Sequence, residues 1–117
     1  MNKSTVAIAK GLDPEAMVET CLSHLGGVSE LIRPKSTVVL KPNAGHPFPP
    51  DSSVNVSPAL VAAAIKAIRR AGPKEIILAE SAAIGCDTME CLDISGIGRA
   101  AEEAGVDRII DIKSEFT

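Results

Sequence analysis

Residues 38–60 read VVLKPNAGHPFPPDSSVNVSPAL, two elements with a long gap between them. Thr37–Leu40, TVVL, is apolar without alternation, the pattern of a parallel strand covered on both faces. It runs directly into Lys41-Pro42-Asn43. A proline-rich loop follows, longer than the roughly 12 residues beyond which structureless loops are usually functional or disordered. Ser57-Pro58 then opens a helix, with Ser57 as N-cap and proline at the first helical position. Leu60, Val61, Ala64, Ile65 and Ile68 recur at helical spacing, Lys66, Arg69 and Arg70 fall on the solvent side, and Gly72-Pro73 closes the helix. A strand ending in lysine and asparagine before a long loop predicts a ligand-facing crevice.

The same alternation extends outward. Upstream, Thr5–Ala9, TVAIA, reads as a strand ending at Lys10. Asp13-Pro14-Glu15 starts a helix by cap, proline and first-turn acid. Its apolar face is Met17, Val18, Cys21, Leu22 and Leu25; Gly26-Gly27 stops it, and Leu31-Ile32 is expected to plug a core edge. Downstream, Glu75–Ala79, EIILA, is a third strand, followed by a loop from Glu80 to about Ser95. GIGRAAEEAG, ending at Gly105, is a short helix, and Arg108–Ile112, RIIDI, a fourth strand. The order β-α-β-α-β-α-β predicts an α/β fold: a three-layer Rossmann-like sandwich with a mostly parallel four-stranded sheet and helices on both faces. Residues 1–117 form a single α/β domain in this reading. Its close on a strand without a covering helix predicts an N-terminal fragment of a longer architecture, or an edge completed by a partner.

Composition narrows the function classes. The 117 residues are 45% hydrophobic and carry a net charge of -3, so no general pull toward nucleic acid or an anionic membrane is expected. The aromatics are Phe48 and Phe116 alone, which argues against the stacking platforms of single-strand nucleic-acid binders. No apolar run approaches the roughly 20 residues of a membrane span. The start, Met-Asn-Lys-Ser-Thr, lacks the apolar core of a signal peptide, so a cytoplasmic protein is expected. Three cysteines, Cys21, Cys86 and Cys91, do not suit a disulfide framework.

In open parallel sheets ligands bind beyond the carboxyl ends of the strands. Lys10, Lys41-Pro42-Asn43, Glu80-Ser81 and Asp111 all fall at such ends. The helix opening at Ser57 would aim free N–H groups to that side, which suits an anion. The candidate ligand-binding residues are Lys41, Asn43, Ser81, Ser57 and Lys10, with Glu80 the candidate catalytic acid or base. Each has a plainer reading beside it. Lys41 pairs with Glu80 or snorkels to solvent, Asn43 serves a turn, Ser57 only caps its helix, and Lys10 is a solvated strand end.

Other motifs are weak. No Gly-x-Gly-x-x-Gly follows the first strand, and there is no Walker A loop. Ser95–Ala100, SGIGRA, reads better as a helix entry than as a phosphate cradle. Cys86 and Cys91 lack the spacing and companions of a metal site, His24 reads as structural, and His46 sits in the proline loop within reach of the crevice. No metal site is expected, and Cys21 reads as core.

VVLKPNAG, SPALVAAAIKAIRRAG, EIILAES and SGIGRAAEEAGV…IIDIKSE together resemble the N-terminal part of the domain of unknown function 362 family. Lys41-Pro42-Asn43 is the most specific piece, and Glu80-Ser81 also matches. Proteins of that family are generally longer, and many carry ferredoxin-like Cys-x-x-Cys-x-x-Cys motifs for iron–sulfur clusters. No such motif occurs here, so the cofactor is open. The resemblance implies a cytoplasmic, redox-linked setting and no particular reaction. Two functions are weighed: part of an enzyme that binds a small anionic metabolite at the strand ends, or a non-catalytic module that docks a partner or an iron–sulfur domain. A homo-oligomer, or pairing of the open sheet edge with a downstream domain, is expected; nucleic acid and membrane are not.

Overall fold

The structure, a computed structural model, describes residues 3–115; Met1, Asn2, Phe116 and Thr117 lie outside them, as do the readings placed there. Three parallel strands form the sheet: β1 (Thr37–Leu40), β2 (Glu75–Glu80) and β3 (Arg108–Asp111), in the spatial order β1-β2-β3. Val39 stands opposite Ile77 and Leu40 opposite Leu78; on the other side Leu78 meets Ile109 and Glu80 meets Asp111. Helix α3 (Pro58–Arg70) joins β1 to β2, and α4 (Thr88–Ile94) with α5 (Ile97–Ala104) joins β2 to β3. Helices α1 (Pro14–His24) and α2 (Val28–Leu31) precede the sheet, and the expected terminal strand ends at Asp111, with Ile112 opening a short α6 (Ile112–Glu115) in its place.

The main core cluster lies on one side of this sheet. Ile76 and Leu78 of β2 pack with Val61 and Ile65 of α3 and with Ile97 and Ala101 of α5. Alternate residues of a strand face opposite ways, so Val39, Ile77 and Ala79 point to the other face; Ile77 and Ala79 are buried there at the centre of the sheet, while Val39, on the edge strand, is 59% exposed. The helices expected on both faces therefore resolve into one layer, with α1 packed along α3. The cause is topological. Strand order advances without reversing, and right-handed crossovers in one direction place their helices on one face.

Thr5–Ala9, expected as a fourth strand, pairs with no strand of this sheet. It runs beside α1 instead. Cys21 Sγ donates to the Ala7 carbonyl at 3.8 Å, and Ala7–Ala9 share an apolar cavity with Met17, Val18, Leu22 and Leu60. Val6 and Ile8 remain exposed. Strand propensity measures fit to a pleated, half-buried surface, and without a ladder partner this segment has no such surface.

Helix boundaries follow local chemistry. Asp13 Oδ1 accepts the Glu15 N–H at 3.0 Å and caps α1, which ends where Gly27, at φ +96°, donates to the Leu22 carbonyl at 2.7 Å. Lys66–Glu15, at 2.6 Å, and Arg70–Glu19 are exposed ion pairs that link α3 to α1. Leu31 does not plug the core edge; it is exposed at the end of α2, an element the sequence reading lacked. Helix α4 likewise interrupts the loop expected from Glu80 to Ser95.

Candidate functional site at the strand ends

Glu80 is the last residue of β2 and is 1% exposed. Its carboxylate is fully engaged. Oε2 accepts the Ala44 N–H at 2.6 Å, while Oε1 accepts the Ser81 N–H at 2.7 Å and the Lys41 ammonium at 2.8 Å. Burial pushes the Glu80 carboxyl upward, but the Lys41 ammonium and the two backbone N–H groups outweigh it and hold it below the usual carboxylate range. Glu80 is therefore ionised at neutral pH. It ties the chain leaving β1 to the chain leaving β2, and it aims Lys41, whose side chain remains 56% exposed.

Beside this corner lies a cavity of about 260 Å³. Leu40, Lys41, Pro42 and Asn43 form its wall at the end of β1; Val56, with Leu60, Val61 and Ala64 of α3, forms the other. The lining is mainly apolar, with Lys41 and Asn43 as its polar side chains. The long loop is cross-linked by hydrogen bonds. The Asn43 carbonyl accepts the Val56 N–H at 2.8 Å, and Asn43 Nδ2 donates to the Val54 carbonyl at 3.4 Å. Asn55 Nδ2 donates to the His46 carbonyl at 2.8 Å, and the Ala83 N–H donates to the Gly45 carbonyl at 3.0 Å, joining the loops that follow β1 and β2.

The candidate residues divide. Lys41, Asn43, Glu80 and Ser81 gather at the ends of β1 and β2. Ser57 occupies the N-cap position of α3 and its side chain makes no capping bond, so its exposed hydroxyl adjoins the helix turn that lines the cavity. Lys10 lines a different cavity, with Leu12, Met17 and Thr20, because Thr5–Ala9 does not enter the sheet. His46 is exposed, its ring 6.2 Å from that of Phe48, and His24 is exposed at the end of α1. Among the described residues, no three His, Cys, Asp or Glu side chains group as metal ligands would.

Sequence reading missed the backbone partners. Ala44 is wholly buried, and only its N–H enters the site, which no side-chain pattern announces. Thr88 Oγ1 accepts the Ala82 N–H at 3.1 Å, and Lys113 Nζ donates to the carbonyls of Ala83, at 3.4 Å, and Cys86, at 3.3 Å. These contacts hold the loop after β2 against α4 and the end of β3.

Comparison with known proteins places this corner within a described family region. The model of the family described as Domain of unknown function (DUF362) matches residues 38–117, which includes Lys41-Pro42-Asn43 and Glu80-Ser81. No curated protein and no solved structure matches the chain.

Proposed function

The chain belongs to the domain of unknown function 362 family, and from the geometry of its strand ends we propose that it is the part of a cytoplasmic enzyme that binds a small anionic metabolite with an apolar body. The observation that carries this reading is the apolar cavity of about 260 Å³ with Lys41 and Asn43 on its wall, beside an ionised, buried Glu80. A site of this kind is typically apolar with a few placed polar groups. The Lys41 ammonium faces the carboxylate or phosphate of the ligand, and the Asn43 amide orients it. Ser81 and Ser57 flank the site with free-standing hydroxyls. Glu80 acts chiefly as the group that positions Lys41; a carboxyl held below its usual range carries no proton to donate at neutral pH, and it serves as a base only where a ligand displaces one of its donors.

A thermal-shift comparison with hexanoate and with inorganic phosphate tests the reading. A ligand that binds the folded state alone raises Tm by mass action. The expected result is a rise in Tm with at least one probe for the wild-type chain and none for Lys41→Ala. No rise with either probe, or an equal rise in both chains, overturns it.

The second reading is a non-catalytic module that docks a partner or an iron–sulfur domain. The 59% exposure of Val39, on the sheet face away from the helices, favours it. Sedimentation separates the two. A stable monomer at all concentrations counts against an obligate partner, and self-association relieved by Val39→Lys supports docking.

A further inference from the structure

Helix α4 begins with an aspartate cap flanked by two cysteines. Asp87 is the N-cap, and its Oδ1 accepts the Glu90 N–H at 2.8 Å. Cys86 is therefore the residue before the cap and Cys91 the fourth residue of the helix. Side chains at those two places close on each other across a helix start, the arrangement called a hydrophobic staple. Cys86 and Cys91 hold those two places here, and the Cys86 thiol lies near enough to act on the charge of Cys91. Their surroundings differ. Cys91 is wholly buried, while Cys86 is only half-buried and lies on the loop after β2.

We propose that Cys86 and Cys91 are a redox-active thiol pair that closes to an intrachain disulfide by exchange with a low-molecular-weight disulfide. The partly exposed Cys86, as thiolate, attacks one sulfur of the small disulfide. A mixed disulfide forms on Cys86 and one small thiolate leaves. Cys91, having lost its proton, then attacks the Cys86 sulfur and expels the second small thiol. One small disulfide is reduced to two thiols, and the protein dithiol is oxidised to one disulfide. The division of roles follows from burial, because only Cys86 can meet a reagent from solvent. Burial, the neighbouring Cys86 thiol and the charges of Glu90 and Asp87 push the Cys91 thiol up, so Cys91 reacts within the mixed disulfide and not with the reagent directly.

The bond would act on the corner described above. The Cys86 N–H donates to the Ala83 carbonyl at 2.9 Å, and Ala83 donates to Gly45 at 3.0 Å. Oxidation would therefore fasten the loop after β2 to α4. This inference does not depend on what the cavity binds.

The full chain, fully reduced, is incubated with oxidised glutathione and followed by intact and peptide mass. The expected product has lost two hydrogens from the segment spanning residues 86–91 and retains no glutathione there. Cys91→Ser is expected to hold one glutathione on Cys86, and Cys86→Ser to leave Cys91 unmodified. Wild-type chain that keeps a glutathione on Cys86, or whose Cys86 and Cys91 both remain reduced, overturns the proposal.

Discussion

Lys41 reaches across from the end of β1 to Glu80 at the end of β2, with its ammonium 2.8 Å from Oε1. The two partners are unequally sheltered: Glu80 is sealed while Lys41 stays half in solvent. The carboxylate also accepts two backbone N–H groups, so the pair is one part of a three-donor arrangement. That asymmetry sets what each substitution should do.

Glu80→Gln removes the charge and gives one of the backbone donors an amide N–H in place of an oxygen. A buried donor left without an acceptor costs about 1–3 kcal/mol, so a loss of about 2 kcal/mol is expected in urea unfolding. Lys41→Met leaves both backbone bonds on Glu80 and removes a half-exposed cation, at an expected cost of about 1 kcal/mol or less. A larger loss for Lys41→Met than for Glu80→Gln would show that the ion pair dominates the corner.

Stability should fall on acidification, with a sign that follows from Glu80. Its folded-state pKa lies below its unfolded value. Its contribution is then complete above the unfolded value and is lost as pH falls through the folded one. Asp107 shifts the same way, because its Oδ2 accepts the Ile76 N–H at 2.7 Å and pairs with Arg69 at 2.9 Å. Urea midpoints of the wild-type chain should drop below the ordinary carboxylate range, and Glu80→Gln should drop less steeply. Equal slopes would contradict this assignment for Glu80.

Asp107→Ala should act at the opposite end of the sheet. It removes the acceptor of the Ile76 N–H just where β2 starts. Faster hydrogen exchange of that amide is expected, with the β1 ladder unchanged.

The unequal burial of Leu78 and Val39 predicts a contrast in cost. Leu78, wholly buried against α3 and α5, should cost about 2–5 kcal/mol as Leu78→Ala. Val39→Ala, on the opposite face, should change unfolding by about 0.5 kcal/mol or less in the isolated chain. Comparable losses would mean that the second face is covered at Val39 as well.

Gly96 joins α4 to α5 at φ +76°, and an added Cβ would come within 3.3 Å of Pro50 in the long loop. Gly105 has φ +94° but open space around it. Both substitutions to alanine pay the left-handed strain of about 1–2 kcal/mol. Gly96→Ala should lose more, and the difference measures how firmly the long loop rests on the α4–α5 junction.

What could be read from the sequence was whatever local chemistry decides. TVVL and EIILA are strands, as is RIIDI up to Asp111, Asp13 caps its helix, and Pro58 opens α3 in the register that its apolar spacing requires. The cap signal Asp87…Glu90 was also present, but α4 has only seven residues and little periodicity to announce it. TVAIA failed because strand status is decided by a partner, and Lys10 left the candidate site with it. Lys41 opposite Glu80 was foreseen as a pairing. The third party, the Ala44 N–H, was not, because a backbone donor has no residue type to betray it.

The most direct measurement is an amide chemical-shift titration of the wild-type chain with hexanoate, repeated on Lys41→Ala. Binding at the cavity predicts saturable shifts at Lys41, Asn43, Val61 and Ala64 in the wild-type chain, and their loss in the variant. The absence of saturable shifts at those residues, or an unchanged pattern in Lys41→Ala, would contradict a strand-end anion site.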